Sequence, residues 1–260
     1  MEDIFSKVNF ILVEPTHPGN VGSSARALKN MGFSNLIIVN PKNNKITENI
    51  EAIKLASNAQ DILIKSKIFT SLEQALENTT FSIALTARNN RNLSLKSYDI
   101  REVAKESYLK ISELNQKIAF VLGSENNGLN NQQISMCNCI CHIPTNIEYQ
   151  SINLSHAIQI AAWELRYLII NYKKTDYHQT LSYKSIKNEK IATSEDIFNL
   201  LKNLEKSLIH INFLNPLNPR RLMLKMKNIF MRSSLQKNEV NILQGICKRI
   251  ISLKKQHNKN

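Results

Sequence analysis

Residues 17–33 read HPGNVGSSARALKNMGF and join two short apolar runs, residues 10–13 and 36–39. The apolar runs are typical of buried strands, and the Ala- and Ser-rich segment between them predicts a helix over residues 21–31. Gly32 follows directly, and glycine readily adopts the left-handed conformation that closes many helices. The stretch therefore predicts a strand, a helix and a second strand that runs parallel to the first.

The same alternation continues to residue 172. Three more strands are predicted, at residues 82–85, 118–122 and 139–143. Ser71 and Gln74 form a capping-box pattern that opens a helix through Asn78, and an apolar stripe predicts a long helix over residues 153–172. Strands that alternate with helices favour a mainly parallel sheet covered by helices, so the predicted fold class of this part is α/β.

The last third of the chain follows a different pattern. Residues 173–193 lose hydrophobic periodicity and are interpreted as a polar linker. Three amphipathic helices are predicted beyond it: one that Ser194 caps, one that follows Pro219, and one over residues 239–253. The residues predicted to face inward on the second and third of them are Leu222, Met226, Ile229, Ile242, Leu243, Ile246 and Ile250. The sequence thus predicts an α/β domain at residues 1–172 and a small all-helical domain at residues 194–260.

Positive charge is concentrated in this helical part. The chain has a formal net charge of +13 and a pI near 9.6. Residues 1–172 carry 16 Lys/Arg and 15 Asp/Glu, whereas residues 173–260 carry 18 and 6, a net of +12. This distribution favours a polyanionic partner held by the helices. The best candidates for phosphate contacts are Arg221, Lys225 and Arg232 on the second helix; a solvated basic face without a ligand is the alternative.

Several classes of protein are not expected. No apolar stretch approaches the roughly 20 residues of a membrane-spanning helix, and the acidic start MEDIF lacks the basic residues of an export signal. We therefore expect a cytoplasmic protein without a membrane partner. The six glycines form neither a dinucleotide-binding fingerprint nor a phosphate loop. Cys137, Cys139 and Cys141 alternate like residues on one face of a strand, so we expect them to pack in the core, and no metal is expected.

Three motifs combine small residues with a few polar groups. They are NVGSSAR (residues 20–26), GSENNGL (residues 123–129) after an apolar strand, and YQSINLS (residues 149–155). Two further matches are TAR (residues 86–88) after an earlier strand and NILQGI (residues 241–246) near the C-terminus. Together they resemble the TrmH branch of the SPOUT superfamily, most closely its TrmJ-type tRNA 2′-O-methyltransferases, over nearly the whole chain. Three positions depart from that pattern, where Ser124, Ile152 and Ser155 replace the usual arginine, leucine and alanine.

The resemblance implies an SPOUT fold with a C-terminal trefoil knot, S-adenosylmethionine as cofactor, tRNA as partner, no metal, and a homodimer. It implies methylation of a ribose 2′-hydroxyl, on cytidine or uridine at the 5′ edge of the anticodon loop. The implied cofactor-binding residues are Leu85, Thr86, Ala87, Gly123, Ile143, Gln150, Ser151 and Ile152. Glu125 and Gly128 are implied to be structural parts of the second motif, and we expect Glu125 to brace its loop rather than to transfer protons.

The implied catalytic residues are Arg26, Ser151, Asn20 and Asn153. A guanidinium stays protonated near neutral pH, so we expect Arg26 to grip the adjacent phosphate and lower the pKa of the 2′-hydroxyl rather than act as a general base. Ser151 and Asn153 are expected to orient the nucleotide or the guanidinium from the neighbouring subunit. Three alternatives stay open: TrmH-type methylation of a different tRNA or rRNA nucleotide, a non-catalytic RNA-binding protein of the same fold, and a DNA-binding regulator.

Overall fold

A parallel sheet is the centre of the molecule. The computed structural model describes residues 2–87, 95–171, 190–217 and 222–257. In chain order the strands are β1 (Val8–Val13), β2 (Asn35–Val39), β3 (Lys67–Phe69), β4 (Phe81–Leu85), β5 (Lys96–Asp99), β6 (Ile118–Leu122) and β7 (Cys139–His142). Within the described ranges these seven strands pair in the order β3-β2-β1-β6-β4-β7-β5, and each pair is parallel. The predicted α/β class is confirmed, and the trefoil knot stays a prediction.

Helices cover both faces of the sheet. They are α1 (Glu2–Phe5), α2 (Pro18–Asn30), α3 (Ile50–Ala56), α4 (Gln60–Lys65), α5 (Leu72–Leu76), α6 (Ile100–Ser112), α7 (Asn131–Ile134), α8 (Leu154–Asn171), α9 (Ser194–His210), α10 (Leu222–Arg232) and α11 (Lys237–His257). Successive residues of a strand point to opposite faces. Phe10 and Leu12 of β1 pack in a core with residues of α2, α6 and α8. Ile11 and Val13 pack on the other face, in a second core with residues of α5, α9, α10 and α11.

The five strands predicted from the sequence are present, with bounds that differ by at most two residues. The sequence does not predict β3 and β5, which form the two edges of the sheet. Most of their residues are exposed or only partly buried, and β5 reads KSYD. An edge strand has one neighbour and tolerates polar side chains, so it lacks the apolar run that identifies a central strand.

The two ends of α2 explain its length. The helix begins at Pro18, three residues before the predicted start, because proline is well suited to the first helical position, where no amide donor is needed. At the other end Gly32 has a φ of 76°, and Phe33 N donates to the Leu28 carbonyl at 3.0 Å. A second bond joins Gly32 N to the Lys29 carbonyl at 3.1 Å. This pair of bonds is the Schellman pattern, and the predicted glycine closure is confirmed.

Side-chain caps begin α5 and α9. The Ser71 side chain accepts a hydrogen bond from Gln74 N at 3.3 Å, which confirms the predicted start of α5. The capping box is incomplete, because the Gln74 side chain accepts from Thr70 Oγ1, and the helix ends at Leu76 rather than at Asn78. The predicted cap at Ser194 is wrong, because Thr193 caps α9 instead. Thr193 and Asp196 form a reciprocal capping box, in which the Asp196 carboxylate accepts from Thr193 N at 3.0 Å. The acidic residue three positions after Thr193 decides the start of this helix.

The C-terminal helices pack directly on the second face of the sheet. Phe198 of α9 is 7 % exposed and belongs to the same core as Ile11 of β1 and Met231 of α10. Asn138 links the two parts by hydrogen bonds: its side-chain oxygen accepts from Ser82 N of β4 at 2.7 Å, and its amide donates to the Met231 carbonyl. The predicted domain boundaries stay a prediction, and residues 173–189 of the predicted linker lie outside the described residues.

The helical stripes of this part differ from the predicted ones. On α10 Met226 packs inward as predicted, but Ile229 is 43 % exposed, and the other inward residues are Met223, Phe230 and Met231. On α11 Leu243 packs inward as predicted, but Ile242 and Ile246 are 64 % and 51 % exposed, and the other inward residues are Val240 and Cys247. Those parts of the prediction are wrong. Apolar residues occupy more than one side of each helix, so periodicity leaves the buried side open, and contact with α9 decides it.

The three clustered cysteines are buried, but they do not share one strand face. Cys139 and Cys141 lie on β7 and pack in the first core, whereas Cys137 packs in the second. The prediction is wrong for Cys137 because the turn after α7 places it before the strand begins. Burial raises the pKa of Cys137 to about 12 and raises those of the other two thiols. Among the described residues no group of three or more His, Cys, Asp or Glu could hold a metal ion.

In the part of the chain that the structure describes, no helix combines the length and the apolar character needed to cross a membrane.

Replacing Phe198 with alanine is expected to destabilise the whole chain. The substitution removes a large side chain from the contact between α9 and the sheet, which typically costs about 3–5 kcal/mol of unfolding free energy. Phe213 is the matched control, because it belongs to the same helical part but is 67 % exposed. Its change to alanine should alter stability by no more than about 0.5 kcal/mol. Urea unfolding of both variants measures the difference; equal stabilities would contradict the packing of Phe198 in the second core.

Candidate active site

A pocket with a volume of about 330 Å³ lies where β4, β6 and β7 end. The carboxyl ends of parallel strands meet at one edge of a sheet, and ligand sites of α/β proteins form there. All eight residues that the sequence analysis assigned to the cofactor line it: Leu85, Thr86, Ala87, Gly123, Ile143, Gln150, Ser151 and Ile152. Glu125 and Gly128 line it too. Chain segments more than 60 residues apart thus meet around one cavity.

Six more residues line the pocket that the sequence analysis did not assign to it: Leu122, Ser124, Asn126, Asn127, Leu154 and Ala157. The first four adjoin the GSENNGL motif or belong to it, so adjacency was the available signal. Leu154 and Ala157 lie on the first turn of α8, and helical spacing turns both to the same side. They belong to the wall because the start of α8 follows the loop that carries Ser151.

The chemistry of the lining restricts the ligand. Apolar side chains from Leu85, Leu122, Ile143, Ile152 and Leu154 form much of the wall, and Glu125 is the one charged residue among the described lining residues. A nucleotide with several phosphates needs cationic or main-chain donors, and no lysine or arginine is found among those lining residues. The pocket instead suits a flat, largely apolar ring joined to a polar or cationic group.

Gly123 allows the pocket loop to fold back on itself. A Cβ at this position would lie 2.1 Å from the Gly128 carbonyl carbon and 2.2 Å from Leu129 N. Such an overlap is with backbone atoms, so a side chain cannot turn aside to relieve it. Gly128 has a φ of 62°, a left-handed conformation that glycine adopts at little cost, and its N–H donates to the Ser124 carbonyl at 2.8 Å. The loop therefore closes tightly at the mouth of β6.

The Glu125 carboxylate joins this loop to the start of α2. One oxygen accepts hydrogen bonds from Thr16 N at 3.0 Å and Thr16 Oγ1 at 2.9 Å. The other accepts from His17 N at 3.2 Å and from the Asn20 side-chain amide at 3.0 Å. A negative charge at a helix N-terminus is stabilised by the backbone dipoles. The arrangement braces the pocket loop against α2.

The protonation state of Glu125 agrees with bracing. Burial raises its pKa, but the hydrogen bonds from Asn20, from its own backbone and from Thr16 together lower it by more, so the net pKa lies below the ordinary value. The carboxylate is therefore ionised near neutral pH. Its oxygens already accept four hydrogen bonds, and it carries no proton to deliver.

Asn20 continues the connection to the third motif. Its side-chain oxygen accepts a hydrogen bond from the Asn153 amide at 2.9 Å. The Asn153 oxygen in turn accepts from Ser155 N at 2.9 Å and from Ser155 Oγ at 2.7 Å, which caps α8. Glu125, Asn20, Asn153 and Ser155 therefore form one chain of hydrogen bonds through all three motifs. Neither asparagine is among the residues that line the pocket.

Arg26 lies apart from this chain of hydrogen bonds. It is exposed on α2, six residues after Asn20, which is a rise of about 9 Å and a turn of about 240° along the helix. It does not line the pocket of its own chain, and no hydrogen bond or ion pair joins it to the residues that the structure describes. Helix α2 packs against α3 and α8, and Arg26 lies on its exposed side.

The remaining predicted site residues are distributed as follows. Ser151 is exposed at the pocket. Lys225 and Arg232 are exposed on α10, on the part of the chain that packs over the second sheet face. Arg221 lies outside the described residues, as does Arg88 of the TAR match. The structure therefore does not bring the basic residues of α10 into the pocket lining of the same chain.

Family models cover both parts of the chain. Residues 7–163 match the model of the SpoU rRNA Methylase family. Residues 195–260 match a model described as the C-terminal domain of the tRNA methyltransferase TrmJ. The first match contains the whole sheet and all of the pocket lining, and the second contains nearly all of α9 together with α10 and α11.

Individual proteins are similar over nearly the full length. The tRNA (cytidine/uridine/adenosine-2′-O-)-methyltransferase TrmJ of Pseudomonas aeruginosa is 35 % identical over 245 residues, which cover 94 % of this chain and 93 % of that protein. A probable methyltransferase of Bordetella pertussis Tohama I is 45 % identical over 64 % of this chain and 98 % of its own, with a TM-score of 0.60. The TrmJ structure from Z. mobilis ZM4 is similar in fold, with a TM-score of 0.77 over 93 % of this chain and 98 % of that chain, at 22 % identity.

Proposed function

The chain belongs to the SpoU rRNA Methylase family, and we propose that it methylates the 2′-hydroxyl of cytidine or uridine in tRNA with S-adenosylmethionine. The observation that carries the proposal is a pocket in which residues of the TAR match and of the GSENNGL and YQSINLS motifs meet. The relatives named for tRNA cytidine and uridine cover more than nine tenths of the chain, which supports the choice of substrate. We also propose, from the family resemblance, that the target lies at the 5′ edge of the anticodon loop and that the protein acts in the cytoplasm.

The pocket residues fit S-adenosylmethionine. The apolar wall of Leu85, Leu122 and Ile152 suits adenine, and the lack of a side chain at Gly123 and Gly128 allows the ligand to approach the main chain of the loop. A wall without lysine or arginine among its described residues suits a cationic ligand better than a phosphate. When bound, the cofactor supplies an electrophilic methyl group to the ribose oxygen, and the carbon–sulfur bond breaks as the carbon–oxygen bond forms.

Arg26 stabilises the reacting hydroxyl in this proposal. Its guanidinium remains charged, binds the phosphate next to the target nucleotide and favours the developing negative charge on the 2′-oxygen. The proton leaves to that phosphate or to water. Ser151, exposed at the pocket, orients the nucleotide. The contacts of Asn20 and Asn153 lie within the protein, so their part in the reaction is indirect.

A second copy of the chain completes the site. Arg26 does not line the pocket of its own chain, yet a methyl donor in the pocket needs a target oxygen held in line with it. Trp163, Tyr167 and Ile170 of α8 are 50–54 % exposed and share one side of the helix beside α2. Apolar aromatic side chains exposed in such a stripe favour an isologous dimer contact. We therefore assign this stripe to a homodimer in which Arg26 reaches the partner's pocket.

Mixing two inactive variants tests the shared site. Arg26→Ala lacks the cation, and Ile152→Arg places a long charged side chain in the pocket. After co-expression, mixed dimers keep one site with an intact pocket and an intact arginine, so we expect about a quarter of the wild-type methylation rate from random assortment in a symmetric dimer. Each variant alone is the control. Mixed dimers identified by native mass spectrometry that stay inactive would show that both residues must come from one chain.

The C-terminal helices α9, α10 and α11 are proposed to hold the tRNA body. Lys225 and Arg232 are exposed on α10, in the part of the chain that carries most of the net charge. Lysine and arginine that neutralise phosphates make binding weaken steeply with salt. A shallower salt dependence of tRNA affinity in Lys225→Ala is the corresponding measurement.

The function itself is tested on unmodified tRNA. Purified protein, S-adenosylmethionine and tRNA transcripts are incubated, and the digested nucleosides are analysed by mass spectrometry. We expect 2′-O-methylcytidine or 2′-O-methyluridine, with 2′-O-methyladenosine followed as well because the P. aeruginosa relative is named for all three. 2′-O-methylguanosine would indicate a TrmH-type target, and the absence of any product would favour the non-catalytic alternative.

A further inference from the structure

We infer that Asn20, Asn153 and Ser155 are positioning residues, whose directed chain of hydrogen bonds with Glu125 holds the cofactor pocket and the Arg26 helix in one fixed arrangement. The inference rests on the proposed function for its consequence in catalysis. Ser155, which replaces the alanine usual in the family, thereby has a positioning role. The two asparagines act through other residues rather than through contact with the reacting atoms.

The donor and acceptor of each hydrogen bond between Glu125 and Ser155 are fixed by the groups at the two ends of the series. An ionised carboxylate can only accept, so Asn20 must turn its amide nitrogen to Glu125 and its oxygen to Asn153. Asn153 must then donate to Asn20. Its own oxygen faces Ser155, whose backbone N–H can only donate. A flip of either amide would put two acceptors or two donors face to face, so each link requires the others.

Three elements are tied together by these links. Glu125 belongs to the pocket loop, Asn20 to the first turn of α2, and Asn153 to the cap of α8. The bonded partners are 105 and 133 residues apart in sequence, so no local structure substitutes for them. Arg26 lies on α2 and the apolar stripe lies on α8. Breaking these hydrogen bonds therefore loosens both the pocket loop and α2, the helix that carries Arg26.

Ser155 holds the Asn153 side-chain oxygen in place with a second hydrogen bond. Its hydroxyl, in a residue that is 7 % exposed, gives the Asn153 oxygen a second donor at 2.7 Å besides the backbone N–H at 2.9 Å. An alanine would leave the backbone bond alone. We expect Ser155→Ala to weaken S-adenosylmethionine binding about two- to tenfold, the size of one neutral hydrogen bond, with no change in pH dependence.

Asn20→Asp is the decisive variant. It places a second carboxylate at the 3.0 Å contact with Glu125, and two carboxylates so close share a proton, which raises a pKa of the pair. The other titratable groups near this position are His17 at the start of α2, Glu51 of α3, whose carboxylate lies 2.5 Å from the position of a Cβ on Gly19, and His156 of α8. These three groups are also present in the wild-type protein, so wild-type measurements at each pH show their contribution.

The expected result is a pH dependence that wild-type protein lacks. At pH about 8 the variant should bind S-adenosylmethionine about tenfold more weakly than wild type, and near pH 5.5 it should recover to within about threefold. A raised pKa in the folded state gives stability that is present at low pH and is lost as the pH rises through that pKa. The melting temperature of the variant should therefore approach that of wild type as the pH falls. Calorimetric titration and thermal melting measure the two effects.

Two further variants keep the inference testable. Asn30→Asp adds the same charge to the other, exposed end of α2 and should show no such recovery. Asn153→Asp keeps the oxygen that caps α8 but offers no donor to Asn20, so it tests the direction of the chain even if Asn20→Asp does not fold. It should weaken cofactor binding and recover at low pH. Parallel pH profiles for wild type and both aspartate variants at positions 20 and 153 would overturn the inference.

The melting profiles separate this inference from the proposed function. If no variant and no wild-type sample binds S-adenosylmethionine, the proposed function fails, while the pH-dependent melting of Asn20→Asp still decides whether the directed chain exists. If wild type binds the cofactor and methylates tRNA but the two aspartate variants behave like Asn30→Asp, the proposed function stands and the inference fails.

Discussion

Arg26→Ala is expected to lower the methylation rate by about 100-fold or more, while S-adenosylmethionine binds almost as tightly as in wild type. Loss of a single group that stabilises developing negative charge typically costs about 100- to 1000-fold in turnover. Cofactor affinity should change little because, in the proposed dimer, Arg26 binds the phosphate of the tRNA rather than the cofactor, and the described pocket lining contains no arginine. Single-turnover methylation of tRNA and calorimetric titration with the cofactor measure the two quantities separately.

Lys29→Ala is the matched control for that result. Lys29 is a cation one turn further along α2, but it pairs with Asp61 at 2.6 Å and is directed at α4. We expect its loss to leave methylation within about twofold of wild type, as for most surface substitutions away from a site. Undiminished turnover of Arg26→Ala would remove Arg26 from the mechanism, and an equal loss in both variants would indicate a general effect of charge on RNA binding.

Gly123→Ala is expected to weaken cofactor binding strongly. The added Cβ would lie 2.1 and 2.2 Å from backbone atoms of Gly128 and Leu129, so the loop must open at the mouth of the pocket. We expect the affinity for S-adenosylmethionine to fall by more than about tenfold, or 1.4 kcal/mol. The overpacked loop should also lower the unfolding free energy by about 1–3 kcal/mol.

Gly128→Ala separates space from backbone strain. A Cβ at Gly128 would have no atom within 4 Å, but its φ of 62° costs an alanine about 1–2 kcal/mol. The variant should therefore lose stability while it retains more cofactor affinity than Gly123→Ala. Titration and urea unfolding of the pair give the comparison. Equal affinities in both variants would mean that the close contact at Gly123 does not shape the pocket.

Much of the central fold was predictable because it depends on local signals. The strands β1, β2, β4, β6 and β7 are apolar runs, and Gly32 and Ser71 mark helix ends by their own backbone and side-chain chemistry. The edge strands and the inward faces of α10 and α11 were not predictable in the same way. Their burial depends on which neighbour they meet, and neither periodicity nor propensity carries that information.

The sequence by itself determined the ingredients of the site. The small residues near Gly123, the polar groups at positions 20, 125 and 153, and the exposed arginine of α2 can all be recognised as motifs, because each needs a particular residue type within a few neighbours. Concentration of charge in the last third is likewise a property of composition alone.

Only the tertiary structure decided how those ingredients are connected. It joins Glu125, Asn20 and Asn153 through hydrogen bonds that span more than 100 residues, leaves Arg26 outside the pocket lining of its own chain, and packs Phe198 of the helical part on the sheet. The physical reason is that a motif specifies backbone conformation and side-chain chemistry locally, whereas a hydrogen bond or an apolar contact between distant segments depends on how the parallel strands order themselves in the sheet.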